Sequence, residues 1–219
     1  MKYDKNYELY LVTDSSLCKK YPLAYVVEEA IQGGVTVVQL REKTADTRTF
    51  YQQACQVKEV TDAYHIPLII NDRLDIMQAV DAAGVHLGQS DMPLSVARKI
   101  IGEEKIIGIS VSTEEEAQKA AEEGADYLGV GAIFSTDTKK DATIISLHTL
   151  QQIKANIEIP IVAIGGIHQD TLLKLKGINI DGIAVVSDIM TADKPKEAAR
   201  ALKHIFYSIK KNDKMIAYC

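Results

Sequence analysis

Two cations and an amide alternate along one short stretch: Gln39, Arg41 and Lys43 within Val37-Val38-Gln39-Leu40-Arg41-Glu42-Lys43. On an extended strand, a period of two puts these three on one face and Val38 and Leu40 on the other. Burying a guanidinium and an ammonium is costly unless an anion compensates, and a planar fork beside a point charge suits a diphosphate. The competing reading is a solvated strand end with Arg41 or Lys43 paired to Glu42.

Acids and hydroxyls follow at comparable positions further on. Asn71-Asp72 closes an apolar run, and Asp72 reads either as a helix N-cap before Arg73 to Ala82 or as a metal ligand. In Gly88-Gln89-Ser90-Asp91-Met92-Pro93, Pro93 marks a first helical turn and Asp91 falls one place early for the cap. Parallel strands lie about 4.8 Å apart, so acids beyond two neighbouring strands can converge on one cation. Mg²⁺ commonly takes one or two carboxylates and leaves its other positions to water and phosphate oxygens. Ser110 shares a strand face with Gly108 and is either a site hydroxyl or a cap before Ser112 and Thr113, where Ser112 to Glu115 fits a capping box. Phe134 to Asp141 is a long loop rich in hydroxyls and cations, the kind that is often functional. Glycines at 165 and 166 allow close backbone approach to a ligand. No histidine stands in a general-base arrangement: His65, His148 and His204 lie in helical stretches, His168 in a loop, and His86 reads as a hydrogen-bonded structural residue. The absence of a Ser/His/Asp or Cys/His set argues against acyl transfer.

Stepping these residues into place requires regular elements. Eight apolar runs of strand length recur: Glu8 to Thr13, Thr36 to Leu40, Leu68 to Asn71, Gly84 to Leu87, Ile106 to Ser110, Tyr127 to Gly131, Ile161 to Gly165 and Gly182 to Val186. Helical periodicity fills the intervals, as in Leu23 to Gln32, Thr47 to Tyr64, Thr113 to Glu123 and Leu147 to Asn156. Glycine stands at several helix-to-strand junctions, Gly33-Gly34, Gly84 and Gly124, where a left-handed cap is expected. Near-continuous apolar strands fit a parallel sheet buried on both faces, and eight βα units in a chain of this length predict a single (β/α)8 barrel domain over residues 1–219, with a tail from about 208. A doubly wound sheet with fewer strands is the alternative. In a barrel, the chemistry belongs at the C-terminal ends of the strands.

The 219 residues, 47% of them apolar, are enough for a full core, and a net charge of −5 argues against a nucleic-acid partner. Cys18, Cys55 and Cys219 fit no zinc pattern, which predicts reduced thiols. No apolar run approaches the roughly 20 residues that span a bilayer, and the polar N-terminus lacks a signal core, so a cytoplasmic protein with no membrane partner is expected.

Taken in order, several segments resemble the thiamine phosphate synthase family: Leu11-Val12-Thr13-Asp14, Gln39-Leu40-Arg41-Glu42-Lys43, Ile70-Asn71-Asp72-Arg73, Gly84 to Gln89 with Asp91-Met92-Pro93, Gly131 to Asp141, and Ala163-Ile164-Gly165-Gly166-Ile167. The resemblance covers roughly Leu9 to Ser187. It implies a Mg²⁺-dependent transferase with two small-molecule substrates, a pyrimidine diphosphate and a thiazole phosphate. It further implies that Gln39, Leu40, Arg41, Glu42, Lys43, Asn71, Ser110 and Lys139 contact the pyrimidine diphosphate, and that Asp72 and Asp91 bind the metal. Thr136, Asp137, Thr138, Gly166, Val186 and Ser187 would hold the thiazole phosphate. Arg41, Lys43, Ser110 and Lys139 would be catalytic: diphosphate leaves first, and the thiazole nitrogen captures a pyrimidine methyl cation. That route needs stabilisation of departing charge and no general base. Two positions depart from the family pattern, Ser135 where proline is common and Asp137 where a small residue or proline is common. With an acid at 137, the phosphate would meet the backbone amide while the side chain turns outward.

Two rivals remain at this level. A thiazole tautomerase of similar fold usually carries histidine after the strand-six glycine, where this chain has Ala132. A phosphate-binding barrel without catalysis would keep the same shape.

Overall fold

A computed structural model describes residues 6–136 and 143–216. Among them, eight parallel strands form a closed barrel in chain order: β1 (Leu9–Val12), β2 (Val37–Leu40), β3 (Leu68–Asn71), β4 (Gly84–Leu87), β5 (Ile106–Val111), β6 (Tyr127–Val130), β7 (Ile161–Ile164) and β8 (Gly182–Val185). Pairing of Leu9 with Ile183 joins the last strand to the first. The alternative of an open sheet is thereby excluded.

The helices are α1 (Leu23–Gly33), α2 (Thr47–Ala63), α3 (Leu74–Ala79), α4 (Leu94–Ile101), α5 (Glu114–Glu122), α6 (Leu147–Asn156), α7 (Gln169–Leu172), α8 (Ser187–Met190) and α9 (Pro195–Ile216). α9 continues through Ser208, where the sequence predicts the start of a tail, and it packs mainly on α1.

Strand alternation sorts the core into two layers. Leu9, Leu11, Val38, Leu40, Leu68 and Ile70 face outward beneath the helices, and all are fully buried. Tyr10, Val37, Ile69, Ile106, Tyr127, Val162 and Ala184 fill the interior. Two tyrosines in so narrow a space need small neighbours. A Cβ at Gly108 would lie 2.1 Å from the Tyr127 ring, so glycine there clears room for it.

The end of the barrel away from the strand C-termini is closed by a repeated device. Thr36, Asp126 and Asp181 each stand directly before a strand, β2, β6 and β8. Their side chains accept from the amides of Leu9, Ile107 and Ile161 on the preceding strand, at 3.2, 2.9 and 2.9 Å. Asp126 also holds Arg98 at 2.7 Å, and Asp181 holds Lys154 at 2.7 Å.

Three local expectations shift. Gly84 is not a helix cap: it begins β4, and its missing side chain avoids the Ile106 carbonyl, which a Cβ would meet at 2.0 Å. The left-handed residue at that junction is Asp81, φ 49°, because α3 ends at Ala79, short of the expected Ala82. The cap of α5 lies one residue later than expected, with Thr113 accepting from the Glu116 amide and the Glu116 carboxylate accepting from Ser112.

Candidate active site

The C-terminal rim gathers the tips of β2 to β5. Gln39 is buried inside the barrel, as alternation predicts, and Arg41 follows it on the same face. Arg41 is anchored by β1: its amide donates to Thr13 Oγ1 at 3.1 Å, and its guanidinium lies 4.0 Å from Asp14. Thr13 and Asp14 thus hold Arg41 from the neighbouring strand, contacts that spacing along the chain does not reveal. Glu42 pairs with neither cation. It accepts from Ser15 Oγ at 2.8 Å, its other oxygen is buried without a partner, and burial pushes its carboxyl up from the ordinary range. Leu40 is fully buried in the outer layer, so only its backbone is available to a ligand.

Asp72 is not the N-cap of α3. Arg73 occupies that position, while Asp72 adopts φ 61° and presents its carboxylate to Lys43 Nζ at 2.5 Å. A left-handed non-glycine residue is costly and typical of sites where a side chain must be aimed. Asp91 is not a cap either: Pro93 is the N-cap of α4, one place before the first helical turn where it was expected, and Asp91 accepts from the Gly88 amide at 2.7 Å. Burial pushes the Asp91 carboxyl up, the Gly88 amide pulls it down, and the neighbouring Asp72 carboxylate pushes it up again by hydrogen bonding and charge. Two acids from adjacent loops therefore face one another. Like charges so placed favour sharing a proton or a cation. Among the described residues no three His, Cys, Asp or Glu side chains gather as a metal site. The pair suits an ion that takes two carboxylates and completes its shell with water and substrate oxygens, as magnesium does.

Asn71 and Ser110 both point inward from β3 and β5, Asn71 8% exposed. Ser110 is not a helix cap, since Thr113 fills that role. Its Oγ lies 2.8 Å from His86 Nε2, and this contact begins a buried chain: His86 Nδ1 to Tyr127 OH at 2.9 Å, Tyr127 OH to Tyr10 OH at 2.7 Å, and Gln39 Nε2 donating to Tyr10 OH at 2.9 Å. The structural reading of His86 is supported, with partners that sequence spacing could not name. Burial pushes both tyrosine hydroxyls above the ordinary phenol range, so both stay protonated.

Across the rim, Gly165 and Gly166 have φ 100° and 60°. A Cβ on Gly166 would lie 2.4 Å from the Ser135 carbonyl, and one on Gly165 would lie 2.5 Å from Ala132. The glycine pair thus lets the loop after β6 seat against the turn after β7, a close approach of protein to protein where the sequence suggested protein to ligand. Thr136 lies just beyond that contact, half-buried. Val186 is the N-cap of α8 and Ser187 its first residue, so both stand at the end of β8 on this side. Asp137, Thr138 and Lys139 fall outside the described residues.

A closed eight-stranded barrel whose rim joins cations, an acid pair and a glycine turn defines a (β/α)8-barrel enzyme of the kind that handles phosphorylated small molecules. A family model described as thiamine monophosphate synthase matches residues 9–189. The chain is 55% identical over 198 residues to thiamine-phosphate synthase of Clostridium tetani, covering 90% of this chain and 95% of that one. It is 52% identical over 209 residues to the enzyme of Clostridium beijerinckii, covering 95% and 100%. The solved structure of thiamine phosphate pyrophosphorylase from Pyrococcus furiosus, 40% identical, superposes with a TM-score of 0.86 over 93% of this chain and 97% of that one. The chain belongs to the thiamine monophosphate synthase family and is a transferase of thiamine biosynthesis. Among the described residues no helix is long and apolar enough to cross a membrane.

Proposed function

We propose that this rim couples a 4-amino-2-methylpyrimidine methyl diphosphate to a thiazole phosphate, releasing diphosphate and forming thiamine phosphate. The observation that supports the assignment of roles is the convergence of Lys43, Asp72 and Asp91 at the tips of three neighbouring strands, with Arg41 two residues before Lys43. Cationic side chains there draw negative charge onto the departing diphosphate. As the C–O bond lengthens, positive charge grows on the pyrimidine methyl carbon, and the thiazole nitrogen lone pair closes on it. No proton need leave the nucleophile, so this route asks no general base of the rim.

In this reading Asp72 and Asp91 hold Mg²⁺, which when bound neutralises diphosphate oxygens. Arg41 offers a two-pronged contact, its backbone N–H hydrogen-bonded to Thr13 Oγ1 and its guanidinium near Asp14. Lys43 exchanges its ion pair with Asp72 for the diphosphate. Lys139, from the loop after β6, adds a further cation. Gln39, Asn71 and Ser110, lining the interior below, hold the pyrimidine ring, with Leu40 and Glu42 contributing backbone. The thiazole phosphate takes the opposite side, against Thr136, Asp137, Thr138, Gly166, Val186 and Ser187. The compartment proposed is the cytoplasm.

The test is a two-substrate assay with product mass determination. Diphosphate should appear only when both substrates and Mg²⁺ are present, together with a product of the mass of thiamine phosphate. Tight binding of either substrate without turnover would replace this reading with a binding barrel.

A further inference from the structure

The interior chain Gln39–Tyr10–Tyr127–His86–Ser110 has a property that none of its members has alone. Each hydroxyl owns one proton, and a neutral imidazole owns one N–H. Because a buried O–H left without an acceptor is costly, choosing a direction at one link sets every other link as long as each proton is used within the chain. Gln39 Nε2 donates to Tyr10, so Tyr10 donates to Tyr127 and Tyr127 donates to His86 Nδ1. His86 must then carry its proton on Nε2 and donate it to Ser110 Oγ. Ser110 keeps its own proton for the cavity, and Gln39 keeps its carbonyl oxygen.

We propose that Tyr10, Tyr127 and His86 are positioning residues that hold Ser110 as a donor and Gln39 as an acceptor, so that the site selects an aminopyrimidine over its oxo counterpart. The inference rests on the reading above that the pyrimidine lies against Gln39 and Ser110. An amino group beside a ring nitrogen offers one donor and one acceptor. The oxo tautomer offers the reverse, an acceptor beside an N–H. Accommodating it would require the whole chain to turn, from the Gln39 amide to the imidazole tautomer.

The packing supports a built network. Tyr127 is fully buried, and its ring centroid lies 4.7 Å from that of Tyr7, 5.8 Å from that of Tyr10 and 5.5 Å from that of His86. Inward-facing glycines make the space: a Cβ at Gly129 would lie 3.0 Å from His86 Cε1, as one at Gly108 would strike Tyr127. Phenylalanines at 10 and 127 would fill the same volume but deprive Gln39 Nε2 and His86 Nδ1 of these partners, so it is the two hydroxyls that link the amide to the imidazole.

Tyr127→Phe interrupts the chain and keeps the ring. We expect KM for the pyrimidine diphosphate to rise about tenfold, KM for the thiazole phosphate to stay within about twofold, and the preference for amino over oxo pyrimidine to fall about tenfold. The double variant Tyr10→Phe/Tyr127→Phe should be no worse than Tyr127→Phe within about twofold, because a broken chain cannot be broken again. An amino-to-oxo preference at the wild-type value in Tyr127→Phe overturns the proposal. So does an equal rise in both KM values. The ¹⁵N spectrum of the His86 imidazole in ligand-free wild-type protein judges the polarity without any turnover: the Nε2–H tautomer is expected, and the Nδ1–H tautomer overturns it. Failure of the wild-type chain to couple the two substrates counts against the assigned reaction, and the imidazole spectrum still decides the network.

Discussion

Lys43 Nζ and Asp72 Oδ2 lie 2.5 Å apart, an ion pair that ties the tip of β2 to the tip of β3. Lys43 is half-exposed, so the pair itself adds little to stability. In the proposed reaction its weight is functional: the lysine that neutralises Asp72 in the free protein would be released for substrate once a metal took the carboxylate.

Replacing Asp72 or Asp91 is therefore predicted to lower kcat about a hundredfold or more with little change in melting temperature. Asp72→Asn is the sharper variant, because asparagine tolerates the left-handed backbone at this position while alanine adds strain. Chelation of divalent ions should abolish turnover of the wild type, and added Mg²⁺ should restore it. Wild-type kcat in both Asp72→Asn and Asp91→Asn would remove these residues from the metal site.

Gly166→Ala forces a side chain into the left-handed region and against the Ser135 carbonyl. Backbone strain alone costs about 1–3 kcal/mol. A lower melting temperature is expected together with a raised KM for the thiazole phosphate, since the loop after β6 must lift from the β7 turn. An unchanged KM would place the phosphate elsewhere.

Asp126→Ala tests the opposite end. It strips Arg98 of a partly buried partner and leaves the Ile107 amide uncapped, a loss of about 2–4 kcal/mol. Thermal melts should show a clear drop, whereas KM for both substrates at a permissive temperature should match the wild type. A KM shift without a melting shift would contradict the separation of the two ends.

Asp46 caps α2, accepting from the Thr49 amide at 2.8 Å, and hydrogen bonds from Thr49 hold its carboxyl below the ordinary carboxylate range. A carboxyl whose folded pKa is depressed contributes stability above its unfolded pKa and loses it as pH falls through the folded one. Asp46→Ala should therefore melt below the wild type at neutral pH, with the gap closing as the solution is acidified through the carboxylate range. A gap constant with pH would assign the effect to helix propensity.

The barrel was legible because alternation and period are local properties. Eight apolar runs separated by helical stretches predict the observed strand order, and parity puts Gln39 and Ser110 inward. The capping alternatives for Asp72, Asp91 and Ser110 stayed open in the sequence, since the cap lies within three residues of each and only backbone angles separate the readings. Arg73, Pro93 and Thr113 take those caps. The Tyr10–Tyr127 contact was not legible at all. It joins β1 to β6 across the interior, 117 positions apart, and no spacing rule connects two tyrosines on non-adjacent strands. The glycine pair at 165 and 166 was found for a partly different reason than it serves, because sequence cannot say whether ligand or neighbouring loop comes close.

Thr36, Asp126 and Asp181 give this cylinder a floor that answers to folding and stands apart from the reacting atoms. Selection for heat tolerance can therefore work on the floor while turnover is held constant. A foreign set of upper loops, grafted onto the same eight strands, would inherit a foundation already closed beneath it.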